Sequence, residues 1–187
     1  MSKKLIDISI SVMLILFFLI PMLFIVLAIK LTSKGPAIYW SERVGRGNEI
    51  FRMPKFRSMK IDTKAVATDL LENPSDYLTP IGGFLRRTSL DELPQLFTIL
   101  KGDMSLVGPR PALFNQKELV RLRTEVGIES ILPGITGWAQ VNGRDELSIQ
   151  KKVKLDFEYL NNQSHWLDLK ILWLTLIRVL KKDNVSH

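Results

Sequence analysis

Two adjacent carboxylates, Asp91 and Glu92, closely follow two adjacent arginines, Arg86 and Arg87, within residues 86–96. The apolar residues that come next, Leu96, Phe97, Ile99 and Leu100, recur at helical spacing, so the acids lie at or near the start of a helix. Two starts are compatible with the residues. Ser89 can cap, with Glu92 completing a Ser-x-x-Glu box. Alternatively Pro94 is the first helical residue, since the residue before a proline is disfavoured in a helix. In either case the helix dipole and the arginines favour negative charge, which predicts an ionised Asp91. The same surroundings suit a phosphate or a metal-bound phosphate. Taken alone, the pattern also fits plain helix capping.

Other cations and polar groups recur along the chain. Lys55 and Arg57 sit together in Lys55-Phe56-Arg57-Ser58-Met59, and locally they read as solvated charge. Arg110 stands between Pro109 and Pro111, which restrict its backbone and present its side chain. A presented arginine suits a bidentate phosphate contact, though an exposed turn explains it equally well locally. Residues 133–144 combine Gly134, Gly137 and Gly143 with Trp138, Gln140, Asn142 and Arg144. Glycines let backbone approach a ligand closely, so this block reads as a binding element.

The elements that must position these groups are legible in outline. Residues 8–29 carry no charge and are mostly large and apolar, long enough to cross about 30 Å of hydrocarbon. Pro21 in the middle predicts a bend. Both flanks are basic, with Lys3 and Lys4 before and Lys30, Lys34, Arg43 and Arg46 after, so the positive-inside rule sets no direction. A kinked span and a re-entrant segment that returns to the same face both satisfy these facts. Asp7 needs a partner, in a local ion pair or in the C-terminal part. Residues 37–53 read as a β-hairpin turning at residues 45–48. A polar insertion with a short helix at 64–72 follows, then helices at 93–101, 116–126, 146–161 and 166–182. The last helix suits either the headgroup region or the core. The fold class expected is α/β, mostly helical with a small β-hairpin.

The chain has 187 residues, no cysteine, two histidines and a net charge of +7. Disulfides and thiol nucleophiles are excluded, and only His165 and His187 remain as soft-metal ligands, which argues against zinc. A hard cation on carboxylates and phosphate oxygens remains open. The charge suits an anionic partner. Nucleic acid explains the charge but neither the apolar segment nor the paired acids, and is not expected as a partner.

Six segments in order carry a resemblance. They are the basic-then-apolar N-terminus, residues 55–59, Ser89-Leu90-Asp91-Glu92-Leu93-Pro94-Gln95-Leu96, Gly102-Asp103-Met104-Ser105, Gly108-Pro109-Arg110-Pro111, and residues 133–137 running to Asn142-Gly143-Arg144. Together they resemble the bacterial sugar transferases, the small monotopic polyprenyl-phosphate phosphoglycosyl transferases, over nearly the whole chain. Larger relatives carry further transmembrane helices and another domain, and this chain resembles the minimal catalytic form. The resemblance implies transfer of a sugar 1-phosphate from a UDP-sugar to undecaprenyl phosphate, with Mg²⁺ and release of UMP. It makes Asp91 the nucleophile of a covalent intermediate, and Glu92 a metal ligand or proton carrier, with both acids as metal ligands. Arg86 and Arg110, with Lys55 and Arg57, become phosphate candidates. Gln140, Asn142 and Arg144 become candidates for the nucleotide or sugar. It implies a re-entrant helix bent at Pro21 in residues 1–34, and a cytoplasmic catalytic domain with interfacial amphipathic helices in residues 35–187, at the bacterial inner membrane. Relatives often have serine before the bend proline, where this chain has Ile20. Anionic lipids are expected partners, with room for a dimer or for association with downstream glycosyltransferases. A membrane glycosyltransferase releasing UDP and a non-catalytic scaffold for anionic ligands are the rival readings. The residues do not name the sugar.

Overall fold

The computed structural model describes residues 2–63, 73–143 and 146–181. The helix expected at 64–72 and the candidate Arg144 lie outside the described residues.

Helix α1 (Lys3–Thr32) is a single 30-residue helix that continues through Pro21. It is about 45 Å long at 1.5 Å per residue, long and apolar enough to cross a membrane by length and composition. It does not stand apart from the rest of the chain. Asp7, Ser11, Met22, Ile25 and Ile29 are buried, one stripe at helical spacing. Ile10, Leu14 and Ile15 pack into one core cluster, and Phe18 and Val26 into a second. The opposite face, with Leu16, Phe17, Ile20, Leu23, Phe24, Leu27 and Leu31, is exposed. Both ends are tied to the globular body. Near the start, Lys3 pairs with Asp168. At the end, Arg57 donates to the Ser33 and Lys34 carbonyls and to Ser33 Oγ. Asp7 finds its partner in Ser105, whose hydroxyl donates to it at 2.7 Å, rather than in a local lysine.

The expected hairpin forms. Strands β1 (Ile38–Val44) and β2 (Ile50–Phe56) pair antiparallel, with Arg43 opposite Phe51 and Tyr39 opposite Lys55. Side chains alternate along a strand, so Arg43, Ser41 and Tyr39 share a face with Phe51, Met53 and Lys55. Helices α2 (Gly82–Arg87) and α3 (Gln95–Lys101) flank the two acids. A second sheet was not expected: β3 (Ser105–Val107) and β4 (Gly134–Thr136) pair in parallel. Helix α4 (Lys117–Glu125) precedes β4, and α5 (Ile149–Asn161) and α6 (His165–Lys181) complete the chain. Ser148 caps α5 by accepting from the Lys151 amide.

The main core gathers Met53, Leu96, Ile99, Leu106, Val107 and Ile171 around these elements. Tyr159 is buried in it, with its hydroxyl 2.7 Å from Asp168 Oδ1. Burial, then that hydrogen bond, pushes the Tyr159 phenol well above its usual range. One side of α6 enters this core through Ile171, while Trp166, Leu169, Trp173 and Leu176 face outward. The helix is thus a core element on one side and an exposed apolar stripe on the other.

Candidate active site

Asp91 and Glu92 lie in a tight turn, Leu90–Glu92, between α2 and α3. Neither expected helix start is realised in full. Ser89 makes no side-chain cap, and its backbone is left-handed at φ 55°. A non-glycine residue held there costs about 1 kcal/mol and marks a turn set by its surroundings. Pro94 precedes the first residue of α3, which is Gln95. The capping box fails because Glu92 is engaged elsewhere.

Glu92 Oε1 accepts from Lys55 Nζ at 2.8 Å and from Arg110 Nη2 at 3.0 Å. The Glu92 side chain is 12% exposed and that of Lys55 15%. This ion pair therefore links β2 to the acid turn and to the proline-flanked loop in surroundings of reduced dielectric. Burial depresses the Lys55 ammonium, helped by Arg110 and Arg43 and opposed by Glu92 and Asp91.

Asp91 is 8% exposed. Among the described residues its carboxylate takes no hydrogen bond. Burial raises its pKa above the ordinary 3.8, and the Glu92 charge adds to that, while Lys55, Arg86 and Arg110 pull it down. The expected cations act on it, whereas the helix dipole expected to assist them does not. The turn is not the first turn of an α-helix, and desolvation outweighs the cations.

Of the expected phosphate candidates, Lys55, Arg86 and Arg110 all act electrostatically on Asp91. Arg57 does not join them. It is 5% exposed and its guanidinium closes the end of α1, where carbonyls lack helical partners. Gln140 and Asn142 bond within their own loop: Gln140 Nε2 donates to the Ile135 carbonyl at 2.8 Å, and the exposed Asn142 donates through Nδ2 to the Trp138 carbonyl at 2.7 Å. Trp138 donates to Glu158 and lies under Lys170. Two glycines of this block, Gly134 and Gly137, pack against backbone. A Cβ on Gly134 would stand 2.1 Å from the Gly108 amide, and one on Gly137 2.1 Å from the Gly108 carbonyl oxygen.

One residue of the site was missed. In the sequence Arg43 stands as a basic flank of the apolar run. Burial lowers its guanidinium to about 10, with Arg110 the next cause, and Glu92 opposes them. The signal was present in the hairpin register, which sets Arg43 and Lys55 on the same face of the sheet. Among the described residues, Lys55, Arg43, Arg86 and Arg110 thus act electrostatically around Asp91 and Glu92.

Magnesium has a fitting but partial donor set. The described residues contain no group of three or more histidine or acidic side chains. Asp91 and Glu92 supply two hard oxygen donors, and Mg²⁺ typically takes one or two carboxylates, with substrate phosphates and water completing its shell.

A family model described as "Bacterial sugar transferase" matches residues 1–182. The chain belongs to the bacterial sugar transferase family. An undecaprenyl-phosphate glucose phosphotransferase of Komagataeibacter xylinus is 42% identical over 98% of this chain and 37% of its own length. A UDP-glucose:undecaprenyl-phosphate glucose-1-phosphate transferase of Escherichia coli K12 is 43% identical over 82% of this chain and 35% of its own. The chain thus spans little more than a third of the length of these two curated relatives. The uncharacterized sugar transferase EpsL of Bacillus subtilis is 39% identical and matches over 90% of its own length.

Proposed function

We propose that this sugar transferase moves a sugar 1-phosphate from a UDP-sugar to undecaprenyl phosphate through a covalent intermediate on Asp91. The observation that carries this reading is the buried Asp91 carboxylate within the field of Lys55, Arg86 and Arg110, beside a Glu92 already held by Lys55 and Arg110. Relatives named for the transfer of glucose phosphate to undecaprenyl phosphate support the substrate classes.

In the first step an Asp91 oxygen attacks the phosphorus that carries the sugar. The bond from that phosphorus to the bridging oxygen of the diphosphate breaks, and UMP leaves with the bridging oxygen and its electron pair. In the second step a phosphate oxygen of the lipid attacks the same phosphorus and releases the Asp91 carboxylate. The product is a lipid diphosphate sugar, and no net proton is consumed on Asp91. Arg110, Arg86 and Lys55 neutralise the diphosphate as charge moves to the leaving UMP. Glu92 holds Lys55 and Arg110 in place. Magnesium, held by Asp91 and Glu92, would supply further stabilisation of charge on the phosphate oxygens.

We infer the membrane arrangement from α1. Its outward face is apolar, its inner face is packed along its length, and both ends are tied to one body. That favours a re-entrant or monotopic element with both ends on the cytoplasmic face of the inner membrane, residues 35–187 forming the catalytic part. Reporter tags at both termini should be accessible from the cytoplasm only, and a periplasmic N-terminus would overturn this arrangement. The reaction is tested by supplying UDP-sugars and undecaprenyl phosphate to the full chain and assaying both nucleotides. UMP release, abolished by Asp91→Asn, supports the proposal. UDP release indicates direct glycosyl transfer, and absence of turnover across the sugar panel a binding protein.

A further inference from the structure

The segment that presents Arg110 is held at each of four consecutive carbonyls. Pro109 O accepts from the Gly134 amide at 2.9 Å, and Ala112 O from the Val44 amide at 2.9 Å. Between them, Arg110 O accepts from Arg123 Nη1 at 2.8 Å and Pro111 O from Arg43 Nη1 at 3.1 Å. The partners come from β4, β1 and α4. Two are backbone amides and two are guanidinium groups.

The Arg123 donor is itself fixed. Its Nε and Nη2 donate to Asp156 Oδ2 at 3.0 and 2.6 Å. The Asp156 side chain is 1% exposed and that of Arg123 is 12% exposed. A buried carboxylate on α5 thus orients an arginine on α4, which holds the carbonyl of the residue whose side chain reaches Glu92. Arg43 Nε donates to Ser41 Oγ at 2.9 Å, which fixes its fork in turn. The two flanking prolines lack amide hydrogens and restrict φ, so side-chain donors to the carbonyls complete the immobilisation of this segment. A planar fork does this better than an ammonium, because its donors have a fixed geometry.

We propose that Arg43 and Arg123, the latter held by Asp156, are positioning residues that preset Arg110 for the diphosphate of the donor. The inference rests on the reading that Arg110 contacts a phosphate. Preorganisation lowers the ordering cost of binding, so loosening the clamp weakens ligand only through Arg110.

The test is a double-mutant cycle on the full chain in detergent or nanodiscs, with UDP as the probe and its affinity as the readout. Arg123→Lys and Arg43→Lys keep the charge and lose the fork. Asp156→Asn removes the orienting charge. Each is made alone and with Arg110→Ala, and thermal unfolding identifies any variant that does not fold. Arg43→Lys provides a cycle independent of the buried pair. The expected result is a loss of about fivefold to tenfold in UDP affinity when Arg110 is present, and under about twofold in the Arg110→Ala background. Equal losses in both backgrounds would overturn the proposal and assign the clamp to general stability, as would unchanged affinity in folded single variants. If Arg110→Ala itself leaves UDP affinity unchanged, the phosphate reading of Arg110 fails, and the positioning proposal with it.

Discussion

Arg110 and Arg57 are both arginines beside a proline- or serine-bearing turn, and both were candidates for phosphate. Their surroundings separate them. The Arg57 side chain is buried, and its donors meet the Ser33 and Lys34 carbonyls just past the end of α1, so it acts as a clamp on the helix end. The Arg110 side chain is 30% exposed, reaches Glu92 at 3.0 Å, and has its backbone carbonyl held by another arginine. The comparison shows that the role of a cation follows from where its donors already point, which residue type and spacing do not reveal.

The largest expected effect is on the Arg110 side. Arg110→Ala should reduce kcat/KM by about 100-fold, the scale for losing one preset donor to developing charge, with little change in thermal stability. Steady-state kinetics with a calorimetric melt check it. Arg57→Ala should do the opposite. Leaving helix-end carbonyls unpaired and a void in the body should cost about 2–4 kcal/mol of stability, while the folded fraction retains its kcat. Denaturant unfolding and active-site titration separate the two quantities. A catalytic loss at unchanged stability would place Arg57 among the phosphate contacts after all.

The pH dependence sharpens the same contrast. The proposed attack requires the Asp91 carboxylate, whose pKa burial raises above the ordinary 3.8 and Lys55 lowers. Turnover should therefore fall as pH drops through a value above the usual carboxylate range. Lys55→Met removes a cation that favours the charged form, so the acid limb should move to higher pH. Arg57→Met should leave that limb in place. The smallest effects belong to residues 133–143. Gln140→Ala and Asn142→Ala should change donor KM by less than about threefold, since their amides serve their own loop, and should cost about 1 kcal/mol of stability. A donor panel with each variant checks this.

Much of the frame was legible in the sequence because it rests on local pattern. The apolar run, the hairpin and the longer helices follow from periodicity and turn residues, Asp91, Glu92 and Arg86 stand out by their clustering, and Arg110 by its flanking prolines. What stayed hidden depends on contacts between distant segments. Strands β3 and β4 have three residues each and pair Ser105 with Gly134, too short and too far apart to show a period. Gly108, Gly134 and Gly137 pack backbone on backbone, which from sequence resembles a ligand loop. Arg43 joins the site by strand register, and Arg123 finds Asp156 on another helix. Even the partner of Asp7 is a serine 98 residues away.

The central claim is a covalent bond to Asp91. The full chain, incubated with an accepted UDP-sugar and Mg²⁺ but without lipid acceptor, should release UMP and gain the mass of one sugar phosphate. Peptide mapping by mass spectrometry should place that mass on Asp91, and undecaprenyl phosphate should discharge it. No adduct should form on the Asp91→Asn chain. An adduct that persists in Asp91→Asn, or turnover that releases UDP with no adduct at any time, would contradict the account.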